Sequence, residues 1–354
     1  MVALLAVAPL ASQESGPART LPVDPVRLVQ GDEVAGRREL SVARYGFTYR
    51  FASEATRRAF LAEPQRFEAQ LGGACARMGP LSGIGSAEIY AVHAGRLYLF
   101  ASDQCRDGFL RDPEALLLGA DPVAVGDAAA RARGVEWLAR AAAAVGGEEA
   151  LDRVLTLRRS HVRERVHGED PYEYGDAWHV DFGGRAVRET WWAKVAAEDG
   201  WKRRDVLTPQ GDFSVRGTDV AVELHPSQVT AIRQRLGRQP LVILKARGRD
   251  DFVAVACGEA AGVARVEVSF AGATTTVGID AASGRIVSAC FRGRGPSQRL
   301  GEVVRTFHDF EDFGSLELAT RYEVTFDGAS VPDAAVTSTE TELGQPLDDA
   351  LFRR

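Results

Sequence analysis

"HPSQVTAIRQRLGRQPLVILKAR", His225–Arg247, reads as one helix in the second half of the chain. Pro226 stands near its start, where a missing amide hydrogen costs nothing because the first turn has no intrahelical acceptor for it. On either side the residues alternate at period two, the mark of strands. Before the helix come "LTLRRSHVRERV" (155–166), "YGDAWHVDF" (174–182), "AVRETWWAKV" (186–195), "GWKRRDVL" (200–207) and "GDFSVRG" (211–217). After it come "DFVAVAC" (251–257), "ARVEVSF" (264–270), "TTTVGID" (274–280), "GRIVSACF" (284–291), "EVVRTFHDF" (302–310) and "LELATRYEV" (316–324). A spacing of roughly 8–12 residues with Gly or Asp-Gly turns predicts a long antiparallel meander. The economical architecture is one strongly curved antiparallel sheet of about ten strands around one helix, an open β-barrel.

The first half is organised by a repetition. "YGFTYRFASEATRRAFLAEP" (45–64) returns as "AGRLYLFASDQCRDGFLRDP" (94–113), with nine of twenty positions identical. "FTYRF" and "RLYLF" alternate and predict strands. Ser53 and Ser102 follow as N-caps, whose hydroxyls accept from the first free amides of a helix. Glu54 and Asp103 sit at the positive end of the helix dipole. Phe60 and Leu61, like Phe109 and Leu110, supply an apolar face, and Pro64 and Pro113 end each helix. Between the copies, the Gly- and Pro-rich "LGGACARMGPLSGIG" (71–85) predicts a loop and carries Cys75. Asp127–Val145 then reads as an Ala-rich helix ended by Gly146 and Gly147. "EEALDRVLTL" (148–157) opens the strand-rich part with a second short helix. The expected division is an N-terminal segment over 1–19, an α+β domain over 20–120, a helical linker over 121–146 and the β-barrel domain over 147–354.

A net charge of −6 argues against nucleic-acid binding by the chain as a whole. Of 43 basic residues 40 are arginine, a bias we read as compositional and not as a phosphate-binding signal. No apolar run reaches 18 residues, so no transmembrane span is expected. "MVALLAVAPLASQES" (1–15) is apolar to Ala11 and ends on a small-residue "APLA"; it reads as a signal-peptide remnant, and hence as a periplasmic or secreted protein. The four cysteines, Cys75, Cys105, Cys257 and Cys290, form no C-x-x-C. They fit one disulfide per half in an oxidising compartment, and equally four small buried hydrophobes. No Walker loop, G-x-S-x-G, H-E-x-x-H or G-x-G-x-x-G is present, and a non-enzymatic role is expected.

"DPV" (24–26), "YGFTYRFAS" (45–53), Phe60, Pro64, "GGACA" (72–76) and "GRLYLF" (95–100) together resemble the YHS domain family in its exported bacterial form, over residues 20–118. That resemblance implies a small metal-associated module. The chain departs from the cysteine-bearing form of the family: Arg27, Ala52, Thr56 and Ala101 stand at four cysteine positions and only Cys105 keeps one. In the second half, "AVGGEEALDRVLTL" (144–157), "DGWKRRDV" (199–206), "IDAASGRIV" (279–287) and "QPLDDALF" (345–352) resemble the lipoprotein-carrier (LolA/LolB-like) family. That family implies an unclosed barrel with a helix inside, and acyl chains held in its cavity.

Three functions stay open on these residues. The first is a lipid-like or other apolar ligand in the barrel, with the cluster Trp178, Trp191, Trp192 and Trp201 as candidate lining; ordinary core packing is the competing account of those rings. The second is a transition metal or haem held by Cys75, Cys105 and His93. Cys105 falls at the third position of a capped helix beside Arg106, where a thiol is acidified; a Cys75–Cys105 disulfide and inert packing are equally open physically. The third is a scaffold that binds a protein partner. His161 and His167 share one face of a strand, and an exposed, solvated face is expected for it.

Overall fold

The computed structural model describes residues 19–117, 119, 121–167, 170–194, 201–217, 220–331, 336–337 and 340–354, with side chains outside 163–173, 192–201, 297 and 332–339. The apolar stretch read as a signal-peptide remnant lies outside them. The chain forms two compact units, Met1–Ala76 with Gly83–Gly108, and Arg77–Ser82 with Phe109–Arg354.

The first unit is α+β. It holds β1 (Thr20–Leu21), α1 (Pro25–Val29), β2 (Arg37–Arg44), β3 (Phe47–Phe51), α2 (Glu54–Ala62), α3 (Pro64–Phe67), β4 (Ser86–His93), β5 (Arg96–Phe100) and the start of α4 (Asp103–Arg111). The repeated sequence is a repeated hairpin edge followed by a capped helix. Ser53 Oγ accepts from the Thr56 amide and Ser102 Oγ from the Cys105 amide, both at 3.2 Å. β2–β3 and β4–β5 are each joined by two residues of positive φ, Tyr45 (49°) with Gly46 (78°) and Ala94 (48°) with Gly95 (69°). Two such residues twist a hairpin correctly, and glycine bears positive φ without penalty, which explains the shared Gly46/Gly95. Asp24 is fully buried and ties three amides together, those of Val26 (2.9 Å), Arg27 (3.2 Å) and Ala52 (2.7 Å).

The second unit has α5 (Ala128–Val145) and α6 (Glu148–Arg153), then β6 (Thr156–His167), β7 (Asp170–Asp181), β8 (Arg185–Lys194), β9 (Trp201–Leu207), β10 (Phe213–Arg216) and β11 (Val222–Glu223). Next come α7 (Pro226–Gly237) and α8 (Pro240–Lys245), then β12 (Val253–Ala260), β13 (Val263–Phe270), β14 (Ala273–Asp280), β15 (Ile286–Arg294), β16 (Leu300–Phe313), β17 (Leu316–Phe326), β18 (Ala329–Ser330), β19 (Val336–Thr337) and β20 (Glu340–Leu343). These strands make two sheets where one curved sheet was expected. One is seven-stranded in the order β11-β10-β9-β8-β7-β6-β20; the other is eight-stranded, β12 through β18 in sequence with β19 on β17. The helical stretch breaks the ladder: β11 and β12 on either side of it are both edge strands. The chain end returns to the first sheet, where β20 pairs with β6.

The single helix expected over 226–247 is two. Gln239, just before Pro240, takes an extended conformation (φ −86°, ψ 132°), as the residue before a proline must, and the helix restarts at Pro240. α7 opens as expected, with Pro226 in its first turn and the His225 ring nitrogen accepting from the Ser227 amide at 3.2 Å.

The core of this unit joins both sheets and the helices: Leu157, Val180 and Leu207 from the first sheet, Val266, Val277 and Ile279 from the second, Ile232 and Ile243 from the helices. Each such side chain contributes about 1.5–3 kcal/mol. The segment 121–146, expected as a linker, lies within this unit. α5 buries Gly134, Leu138, Ala141 and Ala142, and its N-cap Asp127 accepts from the Ala130 amide at 2.7 Å. At Gly134 the helix comes so close to β12 that a Cβ would stand 2.9 Å from the Ala254 carbonyl carbon. Gly134→Val is therefore expected to lower the unfolding free energy by about 1–3 kcal/mol, despite better helix propensity. A urea midpoint equal to wild type would show that α5 is not held against β12 this tightly.

Candidate functional site

A hollow of about 690 Å³ lies in the second unit, and every residue that lines it belongs to that unit. Its walls come from the inner faces of both sheets, from α5, α7 and α8, and from the segment Met78–Ser82.

Strand register explains what the first sheet presents. Directly opposed residues share a face. One row runs Leu157–Val180–Ala186–Leu207 across β6 to β9 and is wholly apolar. Two residues along, the row reads Arg159–Trp178–Arg188–Asp205, and two further His161–Asp176–Thr190–Arg203. The same face therefore changes from aliphatic to charged along the strands. The apolar row belongs to the core, whereas Arg159, His161, Asp176 and Trp178 line the hollow.

The charged rows form one buried chain. Arg188 Nη2 donates to Asp176 Oδ2 at 3.2 Å, and its Nη1 stands 3.9 Å from Asp205 Oδ2; Arg203 Nε donates to Asp205 Oδ1 at 2.7 Å. Burial works against the Arg188 charge, but Asp176, Tyr174 and Asp205 outweigh it and hold its pKa above the ordinary value. Burial likewise pushes the Asp176 carboxyl up, and Arg188, His161 and Arg235 more than reverse it, so the carboxyl sits below its usual range. Arg203 Nη1 also donates to the carbonyls of Leu81 and Ser82, both at 3.2 Å, and Gln228 Nε2 to that of Pro80 at 3.2 Å. These bonds fasten the segment that closes one side of the hollow.

On the second sheet, Val303, Arg305 and Phe307 alternate inward along β16, with Phe291 opposite Val303 and Tyr322 opposite Phe307. Arg305 is an arginine in an apolar row. Its guanidinium lies 5.0 Å from the Phe291 ring and 5.2 Å from the Tyr322 ring. Arg238 covers Phe291 at 4.4 Å and pairs with Asp121 at 2.7 Å. Arg294 Nη1 donates to the carbonyls of Arg77 (3.3 Å) and Gln298 (3.0 Å), and its Nη2 to that of Leu116 (2.5 Å). Arg159 donates to the Ala319 carbonyl, and burial pushes its guanidinium down.

Of the four tryptophans expected to line a cavity, Trp178 does. Trp191 is on the opposite face of the sheet: its ring lies over Gly175, where a Cβ would come within 1.8 Å of it. Adjacent residues on a strand cannot both face inward. Trp192 and Trp201 are opposed in register, and their side chains lie outside the described residues. His161, expected on a solvated face, is half-buried and lines the hollow; the side chain of His167 lies outside the described residues. Cys75 is buried, Cys105 is half-buried, and no disulfide joins them. No group of three His, Cys, Asp or Glu side chains able to hold a metal occurs among the described residues, so Cys75, Cys105 and His93 are not brought together as a site. His93 instead meets the Tyr98 ring, centroids 6.4 Å apart. Cys257, read as a buried thiol, is exposed, while burial and then Glu302 push the half-buried Cys290 thiol up to about 11. No helix among the described residues is long and apolar enough to cross a membrane.

No model of a known family matches the chain, and the YHS resemblance finds no support. No curated protein matches it either. Among solved structures it is similar to a DUF1329 family protein from Desulfovibrio piger (13% identity, 63% of this chain and 97% of that one, TM-score 0.41). It is also similar to a LolA superfamily protein from Nitrosomonas europaea (14% identity, 58% and 96%, TM-score 0.35). Likeness of this extent assigns no family, and the function proposed below rests on the hollow's own geometry.

Asp176→Ala would leave the more distant Asp205 as the carboxylate beside Arg188, and a loss of about 3–5 kcal/mol in unfolding free energy is expected at pH 7. The Asp176 pKa is depressed on folding, so its contribution is present above the unfolded value of about 3.9 and is lost as pH falls through the folded value. Urea midpoints of wild type and Asp176→Asn from pH 7 to pH 3 should therefore converge. A constant gap across that range would mean that this carboxylate is not what titrates.

Proposed function

We propose that the second unit is a non-catalytic binding module that encloses a lipid-like ligand in its hollow. The observation that carries this reading is an unfilled space of about 690 Å³ walled by Trp178, Phe291, Phe307, Phe310, Leu241 and Leu244. Pre-formed small-molecule sites span about 300–1,000 Å³ and are mostly apolar with a few polar groups. Rings and aliphatic side chains on two sheets and on α8 give such a ligand dry walls on more than one side.

Native mass spectrometry after detergent-free purification tests the idea. Wild type is expected to carry a removable adduct of lipid mass and, once stripped, to bind a fluorescent fatty-acyl probe. Ala231 on α7 is half-buried and lines the hollow, so Ala231→Trp places an indole in the empty space with little disturbance of the helix. That variant should lose the adduct and at least about tenfold in probe affinity, the equivalent of about 1.4 kcal/mol. Absence of both adduct and probe binding in wild type would remove the reading.

A further inference from the structure

The hollow has apolar walls but an unbalanced charge. Six arginines line it against two carboxylates, Asp176 and Glu317. Both carboxylates are already committed. Arg285 holds Glu317 through contacts of 2.8 and 2.5 Å, and Arg188, from outside the lining, holds Asp176 at 3.2 Å. Arg238 is compensated by Asp121. Arg235 and Arg305 are in a different position. Arg305 has two aromatic faces, which attract a cation without cancelling its charge. Arg235, in the last turn of α7, is enclosed by protein yet keeps an accessible surface, because that surface faces the hollow. The helix C-terminus offers it a partial charge of only about −0.5. Burial first, then Arg188, and also Arg305, push the Arg235 guanidinium down to about 10, more than the pull of Tyr174 and Asp176 offsets.

We infer that the ligand is an anionic amphiphile: an acyl or alkyl chain bearing a carboxylate or phosphate, its head group held by Arg235 and Arg305 and its chain laid along Leu241, Leu244 and Phe307. This deepens the lipid-like reading and rests on it. The planar guanidinium fork matches carboxylate and phosphate oxygens two bonds at a time. A wholly apolar occupant would strip water from both cations and give nothing back. An anion relieves the mutual repulsion, and the protein's own carboxylates at the site are spent elsewhere. The other lining arginines donate to carbonyl oxygens or carboxylates, so they shape the walls and leave the head group to this pair.

Stripped full-length protein titrated with cis-parinaric acid and with its methyl ester tests the inference. The acid is expected to bind at least about tenfold more tightly, the worth of a charge-assisted contact. Dodecyl phosphate should displace the probe at far lower concentration than dodecanol or inorganic phosphate. In the double variant Arg235→Gln/Arg305→Gln the acid-to-ester ratio should fall toward one. The ligand-free Arg235→Gln protein should melt no lower than wild type, because a cation that Asp176 compensates only in part has been removed. Equal binding of acid and ester by wild type would overturn the anionic head group and leave the apolar hollow standing. Displacement by inorganic phosphate as effective as by dodecyl phosphate would overturn the amphiphile. Binding of neither probe would take down the lipid-like reading and this inference with it.

Discussion

Arg188 is 3% exposed in the middle of the first sheet's inner face, and its pairing with Asp176 and Asp205 decides what that face can do. Aliphatic rows pack solidly against helices, and the row Leu157–Val180–Ala186–Leu207 does so. A row containing Arg159, Arg188 and Asp205 cannot close in the same way, since each charge pushed against hydrocarbon without a partner costs several kcal/mol. The two sheets and α7–α8 therefore meet tightly at the apolar end of the strands and leave space at the charged end. The hollow is a consequence of where the register changes from aliphatic to ionic.

The same buried chain reaches the segment Arg77–Ser82. Arg203 donates to Asp205 Oδ1 with one nitrogen and to the carbonyls of Leu81 and Ser82 with another. Loop carbonyls left facing an apolar cavity would be as costly as unpaired charges. Arginine suits this task because its planar fork serves acceptors in two directions at once. Leu81 adds a partly buried side chain to the core, so the segment is held by both polar and apolar contacts.

Much of the fold was legible in the sequence. Alternation located the long strands, the repeated capping serines marked α2 and α4, and Pro226 marked the start of α7. What failed was the joining of elements. Nothing local in 225–247 says that the ladder stops there, and Pro240, the one signal for a helix break, sits inside an apolar run that favours continuity. The site was less legible. Trp191 and Trp192 are neighbours on a strand, so alternation alone excluded their facing inward together. A general excess of arginine hid the ones that matter, because composition gives no means of telling Arg235 or Arg305 from the many that are solvated. Arg305 was the exception in principle: it stands between Val303 and Phe307, where the inward alternation calls for an apolar residue.

Charge and shape then act together. Carbonyl groups accept from Arg159 and Arg294 and fix those side chains, and aromatic rings fix Arg305 without neutralising it. Low-dielectric walls focus the field of such cations into the enclosed space instead of letting water screen it. Under the anionic-amphiphile proposal, such a cavity discriminates among apolar molecules by the sign of their polar end, which aliphatic walls alone could not do. Under that proposal the cost is borne by the empty protein, in which Arg235 and Arg305 face the hollow without their ligand; local conflict with good packing of this kind is expected where a site is kept for use.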